Sequence, residues 1–123
     1  MKEIIYNILR VENSITDIVN DRIYPVNAPQ SAPMPYIIVE TSEVIPHPAK
    51  DSAGRIDEYA IDITCFGSKY DEIHTLQKNI KSILNRYRNS DVDFAYYEGQ
   101  EDEYDKTANV FIIIAEYKIR RIL

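Results

Sequence analysis

A cluster of prolines between Asp21 and Glu40 constrains this chain more than any other feature. Four of the six prolines lie in this segment, whose sequence is DRIYPVNAPQSAPMPYIIVE. Proline holds φ at about −65° and lacks a backbone N–H, so it is excluded from helix interiors and central strands. The segment is therefore predicted to be an extended connector of defined shape, which leads from a helix into a strand that begins at Tyr36.

The spacing of apolar residues on both sides of this connector predicts an α+β fold. Residues 2–19 have apolar side chains at helical spacing in two pieces, and Ile73, Leu76 and Ile80 continue such a pattern in a long helix. Residues 45–55 contain two prolines and Gly54, which predicts a long exposed loop. Strands are predicted at Tyr36–Val44, Ile56–Phe66, Val92–Glu98 and Thr107–Ile122. The predicted architecture is a mainly antiparallel sheet of about four strands, with an N-terminal helical segment and one long helix packed on one face.

Length and composition predict a single soluble domain that spans residues 1–123. Cys65 is the only cysteine, so an internal disulfide is excluded. The longest apolar run, around Val110 to Ala115, has the length of a strand and is too short for a membrane helix. A net charge of −6 argues against tight binding of nucleic acid, because neutralising phosphates requires a surface rich in lysine and arginine.

No group of residues predicts catalysis, a cofactor or a metal site. His47 and His74 are far apart, and the strand phase directs Cys65 into the core, away from any base that would activate it. The acidic residues from Glu101 to Asp105 lack the spacing and the glycine of a calcium-binding loop. The simplest interpretation is a charged hairpin tip that follows a turn at Gly99 and remains solvated. The alternative is a tip that faces a pore or a basic partner, and the basic end of the last strand in a neighbouring copy has the required charge.

The connector resembles that of the minor tail proteins that complete the tails of long-tailed bacteriophages and join them to the head. The resemblance is carried by D-R-I-Y-P at residues 21–25, A-P-Q at 28–30 and P-Y-I-I-V at 35–39. The order of predicted elements also matches over nearly the whole chain. The chain departs from the pattern by an additional proline in Pro33-Met34-Pro35 and by Ile38 where valine is common.

The resemblance implies a structural protein of the virion, located at the tail–head junction and made in the cytoplasm of the bacterial host. Such proteins form a hexameric ring that caps the tail tube and docks to the head. The implied partners are further copies of the chain, the major tail tube protein and the head-completion or connector protein. DNA would pass nearby without specific binding, and no membrane partner is implied.

Two other functions remain as alternatives. One is a head-side connector or stopper protein of the same particle, and the other is a small non-viral enzyme or ligand-binding domain, which would require a concave pocket with convergent polar groups. The predicted interface residues belong to the connector, the loop, the acidic tip and the basic end. They are Arg22, Tyr24, Pro25, Pro29, Pro35, His47, Lys50, Arg55, Glu101, Asp102, Glu103, Arg120 and Arg121.

Overall fold

A computed structural model of the chain describes residues 1–48 and 55–122. These residues confirm the predicted α+β class. The helices are α1 (Lys2–Leu9), α2 (Asn13–Val19) and α3 (Tyr70–Leu84). The strands are β1 (Ile23–Pro25), β2 (Tyr36–Pro48), β3 (Arg55–Gly67), β4 (Phe94–Asp105) and β5 (Val110–Ile122).

The strands form one sheet in the order β1-β2-β3-β5-β4. Strands β1 and β2 are parallel, whereas the other neighbouring pairs are antiparallel. Helix α1 contacts β2, α3 contacts β3 and β5, and α2 packs on α3. The helices therefore cover one face of the sheet, and we call the opposite face, which carries no described helix, the open face.

The core lies between the helices and the sheet. Alternate residues of the central strands are fully buried, such as Ile61, Ile63 and Cys65 in β3. Helix α3 contributes residues at helical spacing, among them Ile73 and Ile80. Burying one side chain of this kind stabilises the fold by roughly 1.5–3 kcal/mol. Helices as short as α1 and α2 are unstable alone in water, so their stability depends on this packing.

The first part of the connector forms a strand that the sequence analysis did not predict. Residues Ile23–Pro25 of β1 pair in parallel with Ile37–Val39 of β2. The sheet therefore has five strands where about four were predicted. The proline rule still holds, because β1 lies at the edge of the sheet and Pro25 is its last residue.

The prediction of a loop at residues 45–55 is wrong at both ends of that range. Strand β2 continues to Pro48, and its last residues pair with β3 down to Arg55. Beyond Val39 β2 has no β1 residue beside it, so prolines there are at the edge of the sheet, where a missing N–H is tolerated. Residues 49–54 of the predicted loop lie outside the described residues.

Gly99 also has a different role from the predicted one. It lies inside β4 at a β-bulge, where the pairing with β5 shifts between Tyr97 and Gly99. Its φ of 155° is one that residues with a side chain rarely adopt. The hairpin turn follows at residues 106–109. The acidic residues predicted to form a tip therefore lie mainly on a strand.

Candidate assembly interfaces

Arg22 joins the helical segment to the connector. Its Nε donates a hydrogen bond to the backbone oxygen of Pro35 at 2.9 Å, and its Nη2 donates to that of Ile18 at 3.5 Å. The half-buried guanidinium thus links the last turn of α2 to the residue that precedes β2. This predicted interface residue therefore has an internal structural role.

The remaining connector residues differ in exposure. Pro25 and Pro29 are exposed, whereas Pro35 is buried and follows a cis peptide bond. Tyr24 is half-buried, and its ring meets that of Tyr36 edge-on with 5.9 Å between centroids. The ring of Tyr36 in turn stacks on Phe66 at 4.9 Å. Partial burial of Tyr36, with a smaller contribution from Tyr24, raises the pKa of its hydroxyl.

The open face carries a row of three carboxylates across the centre of the sheet. Glu40 of β2 pairs with Asp62 of β3, and Asp62 pairs with Glu116 of β5. Burial raises the pKa of Asp62 above its usual range, and the charges of Glu116 and Glu40 raise it further. Like charges directly opposite one another destabilise a sheet, so this row weakens the fold at neutral pH.

The second half of β4 forms an exposed acidic surface, which we call the acidic edge (Glu101, Asp102, Glu103 and Asp105). Residues 100–109 are all exposed. Tyr70 of α3 donates its hydroxyl hydrogen to Asp102 Oδ2 at 2.6 Å. Asp105 Oδ1 accepts hydrogen bonds from the backbone N–H groups of Thr107 and Ala108, at 2.9 and 3.2 Å. Hydrogen bonds therefore hold two of the four carboxylates of the acidic edge, those of Asp102 and Asp105.

The other end of the same hairpin carries a basic and aromatic surface, which we call the basic patch (Arg88, Phe94, Tyr96, Lys118 and Arg120). In the sheet Phe94 pairs with Arg120 and Tyr96 with Lys118. The guanidinium carbon of Arg88 lies 5.2 Å from the centroid of the Phe94 ring, and the Phe94 and Tyr96 centroids are 5.9 Å apart. Arg120 Nε is 3.9 Å from Glu58 Oε2, and its side chain is 52% exposed.

The basic patch was only partly predicted from the sequence. Arg120 is among the predicted interface residues, and Lys118 lies beside it at the basic end of β5 but is not among them. Arg88 lies beyond α3, which ends at Leu84, and is not among the predicted interface residues. Alternation along β4 and β5 is the signal that places Phe94, Tyr96, Lys118 and Arg120 on one face, and Arg88 joins them through its contact with the Phe94 ring. Arg121 has the opposite phase from Arg120 and acts electrostatically on the N-terminal amine of Met1, lowering its pKa after the larger effect of burial.

Two of the three interface residues predicted in the loop lie on the sheet. His47 pairs with Ile56, and Arg55 with Pro48, at the end of the β2–β3 ladder. Lys50 lies outside the described residues. Among residues 1–48 and 55–122, no three His, Cys, Asp or Glu side chains are grouped to hold a metal ion. None of the described helices is long and apolar enough to cross a membrane.

Hydrogen bonds connect three polar side chains in the core. The Cys65 thiol donates to Gln77 Oε1 at 3.4 Å, and Gln77 Nε2 donates to the Tyr117 hydroxyl at 2.9 Å. All three residues lie in the core. Burial raises the pKa of Cys65, so its thiol stays protonated and is a poor nucleophile.

Comparison with known proteins identifies the family. The family model described as tail completion protein gp17 matches residues 3–118. The chain belongs to this family. No curated protein sequence matches it significantly. Membership confirms the resemblance of the connector to phage tail-completion proteins and gives the chain a structural role in tail completion within a virion.

The fold of this tail completion protein is also similar to that of chains in solved structures. One is a chain of the virion of a native gene transfer agent particle, with a TM-score of 0.78 and 12% sequence identity. The match covers 100% of the present chain and 95% of the other. At this identity the likeness concerns the fold.

Proposed function

We propose that this tail completion protein forms a hexameric ring that ends the tail tube and joins it to the head connector, with DNA passing through the ring. The family match over residues 3–118 carries the proposal. A fold shared with a chain of a gene transfer agent virion supports it. We further propose that the chain acts as one domain and as a structural component rather than an enzyme.

The size of the chain is compatible with such a ring. A compact chain of 123 residues has a radius of gyration of about 14 Å and a diameter of roughly 35 Å. Six equal discs in a closed ring leave a central hole about as wide as one disc. Duplex DNA, roughly 20 Å across on the basis of its groove dimensions, fits through this hole.

The charge of the chain supports passage of DNA better than retention. The net charge is −6, and carboxylates form both the acidic edge and the row across the open face. Acidic surfaces repel phosphates and release no counterions from DNA. Within the proposal, the protein contacts the major tail tube protein on one side of the ring and the head-completion protein on the other.

Loss of the protein from particles tests this function. Particles assembled without the chain are expected to have tails that are overlong or that are not attached to heads, as seen by negative-stain electron microscopy. Adding the purified chain back should restore tails of uniform length. Tails of normal length and attachment without the chain would contradict the proposal, and normal tails beside heads that leak DNA would indicate the head-side alternative.

A binding measurement tests the ring directly. The molar mass of the chain is measured by light scattering alone and after addition of purified tail tubes. The proposal predicts a species of six chains in solution or at the tube ends. A chain that stays monomeric and does not bind tubes would contradict it.

A further inference from the structure

We propose that the acidic edge of one copy binds the basic patch of the next copy, so that each chain gives one surface and receives the other. This inference rests on the proposed self-assembly and identifies the surfaces that carry it. The partner is a second copy of this chain, recognised by complementary charge.

The acidic edge has carboxylates that are available for a partner. Asp102 is engaged by Tyr70, and Asp105 caps the hairpin turn. Glu101 and Glu103 are exposed and make no ion pair with any described residue. They pair with Ile114 and Ile112 of β5, so both lie on the open-face side of the strand. A strand already held in place loses little conformational freedom on binding, which favours association.

The basic patch presents cations on an apolar support. Lys118 and Arg120 lie on the open-face side of β5, beside the rings of Tyr96 and Phe94. The patch already contains the Arg120–Glu58 contact at 3.9 Å, which is long and leaves Arg120 about half exposed. Lys118, Arg120 and Arg88 exceed the charge of Glu58, so the patch remains positive within an acidic chain. Aromatic rings beside cations exclude water on contact, which strengthens ionic pairing.

The acidic edge and the basic patch of one molecule are too far apart to bind each other. Glu103 is opposite Ile112, which is eight residues before Arg120 along β5. At about 3.3–3.4 Å per residue, roughly 27 Å separate the two ends of the hairpin, and the nearest members, Glu101 opposite Ile114 and Lys118, are still roughly 13 Å apart along the strand. The screening length at physiological ionic strength is about 8 Å. The two surfaces therefore interact only between copies.

The arrangement also determines the kind of assembly. When two different surfaces of one chain bind each other, each copy keeps a free surface for the next, and the series closes into a ring if the rotation per step allows it. A hexameric ring requires such a head-to-tail contact. A two-fold contact would instead use both surfaces within one pair and stop at a dimer.

Charge reversal tests the contact. One variant is Glu101→Lys with Glu103→Lys, and the other is Lys118→Glu with Arg120→Glu. Each variant alone is expected to need at least about tenfold more protein for half-assembly, the size of effect expected when a charged contact becomes repulsive. An equimolar mixture of the two is expected to assemble again, because opposite charges then meet at every contact. Species are measured by native mass spectrometry, free and on purified tail tubes.

Matched controls keep the changes in net charge equal. Asp17→Lys with Asp91→Lys, and Lys69→Glu with Lys78→Glu, alter exposed residues outside both surfaces and should assemble like the unaltered chain. Circular dichroism verifies that each variant is folded. Normal assembly of either reversed variant, failure of the mixture to recover, or recovery only as dimers would overturn the contact. If the unaltered chain neither assembles nor binds tubes, the proposed function itself fails, which is a separate result.

Discussion

Gln77 is the residue on which the polar part of the core depends. It accepts from Cys65 and donates to Tyr117, and all of these side chains are buried. Replacing Gln77 by leucine removes both hydrogen bonds and leaves the Tyr117 hydroxyl buried without a partner. We expect Gln77→Leu to lower the free energy of unfolding by about 1–3 kcal/mol.

A double variant isolates that cause. Adding Tyr117→Phe removes the hydroxyl that has no hydrogen-bond partner, so the double variant should be more stable than Gln77→Leu alone. Urea titration followed by circular dichroism measures all variants, with Lys78→Ala on the exposed side of α3 as the control. A double variant that is no more stable than the single one would show that the loss arises from packing.

The ionised side chain of Asp62 lowers the free energy of unfolding by an amount that depends on pH. Its pKa is raised in the folded chain by burial and by Glu116 and Glu40. The folded state therefore holds this proton more tightly than the unfolded state, and stability falls as pH rises from the ordinary pKa of Asp62 through the raised one. We expect Asp62→Asn to stabilise the protein at pH 7 by about 0.2–1 kcal/mol, as for a relieved like-charge pair.

The pH dependence of that gain provides the check. The advantage of Asp62→Asn over the unaltered chain should shrink as pH falls, because Asp62 then becomes neutral in both states. Thermal unfolding at several pH values measures the difference. Asp17→Asn, an exposed change on α2, is the control. A gain that stays constant down to pH 3 would rule out the electrostatic cause.

Among the elements, the connector depends on Arg22. It holds the carbonyl groups of Ile18 and Pro35, which lie on opposite sides of β1 in sequence. Removing two charge-assisted bonds in Arg22→Ala should cost about 1.5–3 kcal/mol of unfolding free energy. Arg22→Lys should recover only part of this, since an ammonium group lacks the planar fork that reaches both acceptors. Thermal unfolding gives the order of stabilities, and a lysine variant as stable as the original would refute the two-point role.

The bulge in β4 depends on Gly99. An added Cβ has open space around it, but the φ of 155° is strained for a residue with a side chain. Gly99→Ala should therefore destabilise the fold by about 1–3 kcal/mol. Glu98→Ala at the neighbouring exposed position serves as the control. Amide hydrogen exchange should become faster in residues 100–105 of the variant. Unchanged exchange together with unchanged stability would contradict the prediction that alanine is strained at this position.

At the scale of the whole molecule, we expect one cooperative unfolding transition. The helices and the sheet share a single described core, and short helices have little stability without it. Circular dichroism and tyrosine fluorescence should give the same midpoint. The measurement is repeated over a range of concentrations, which separates folding from self-association. Two distinct midpoints at low concentration would contradict the proposal of a single domain.

Much of this architecture was predictable because periodicity reports burial directly. The stripe of α3 and the alternation of β3 were recognised, and Cys65 lies in the core as its phase predicted. The positions that were wrong involve proline and glycine. A proline or glycine in the sequence is compatible with a turn and also with the edge or bulge of a strand. Which of the two forms depends on whether another strand pairs with that segment. Pro46 and Pro48 lie in β2, and Gly99 lies in β4, because β3 and β5 pair beside them.

The candidate interfaces were less predictable. Charge runs in the sequence identified the acidic edge and Arg120, because those residues are close in sequence. Arg88 joins the basic patch through a ring on β4, and that contact depends on where α3 ends. Arg22 was selected as a surface residue, but its hydrogen bonds are internal. Which charged side chains remain free for a partner depends on tertiary contacts that sequence spacing does not report.

The bulge at Gly99 also has a genetic consequence. Before the bulge the odd-numbered residues Ala95 and Tyr97 face the helices, whereas after it the odd-numbered residues Glu101 and Glu103 face the open side. The one additional residue in the bulge causes this exchange of faces. Deleting the codon for Glu98 would remove the additional residue and leave Glu101 and Glu103 with the same partners in β5 and on the same side of the sheet. Pairing of the full-length strand without a bulge would instead turn Glu101 and Glu103 towards the helices and bring Asp102 and Tyr104 to the open side. The displayed charges would thus survive the loss of one codon at this place but not the loss of the bulge alone.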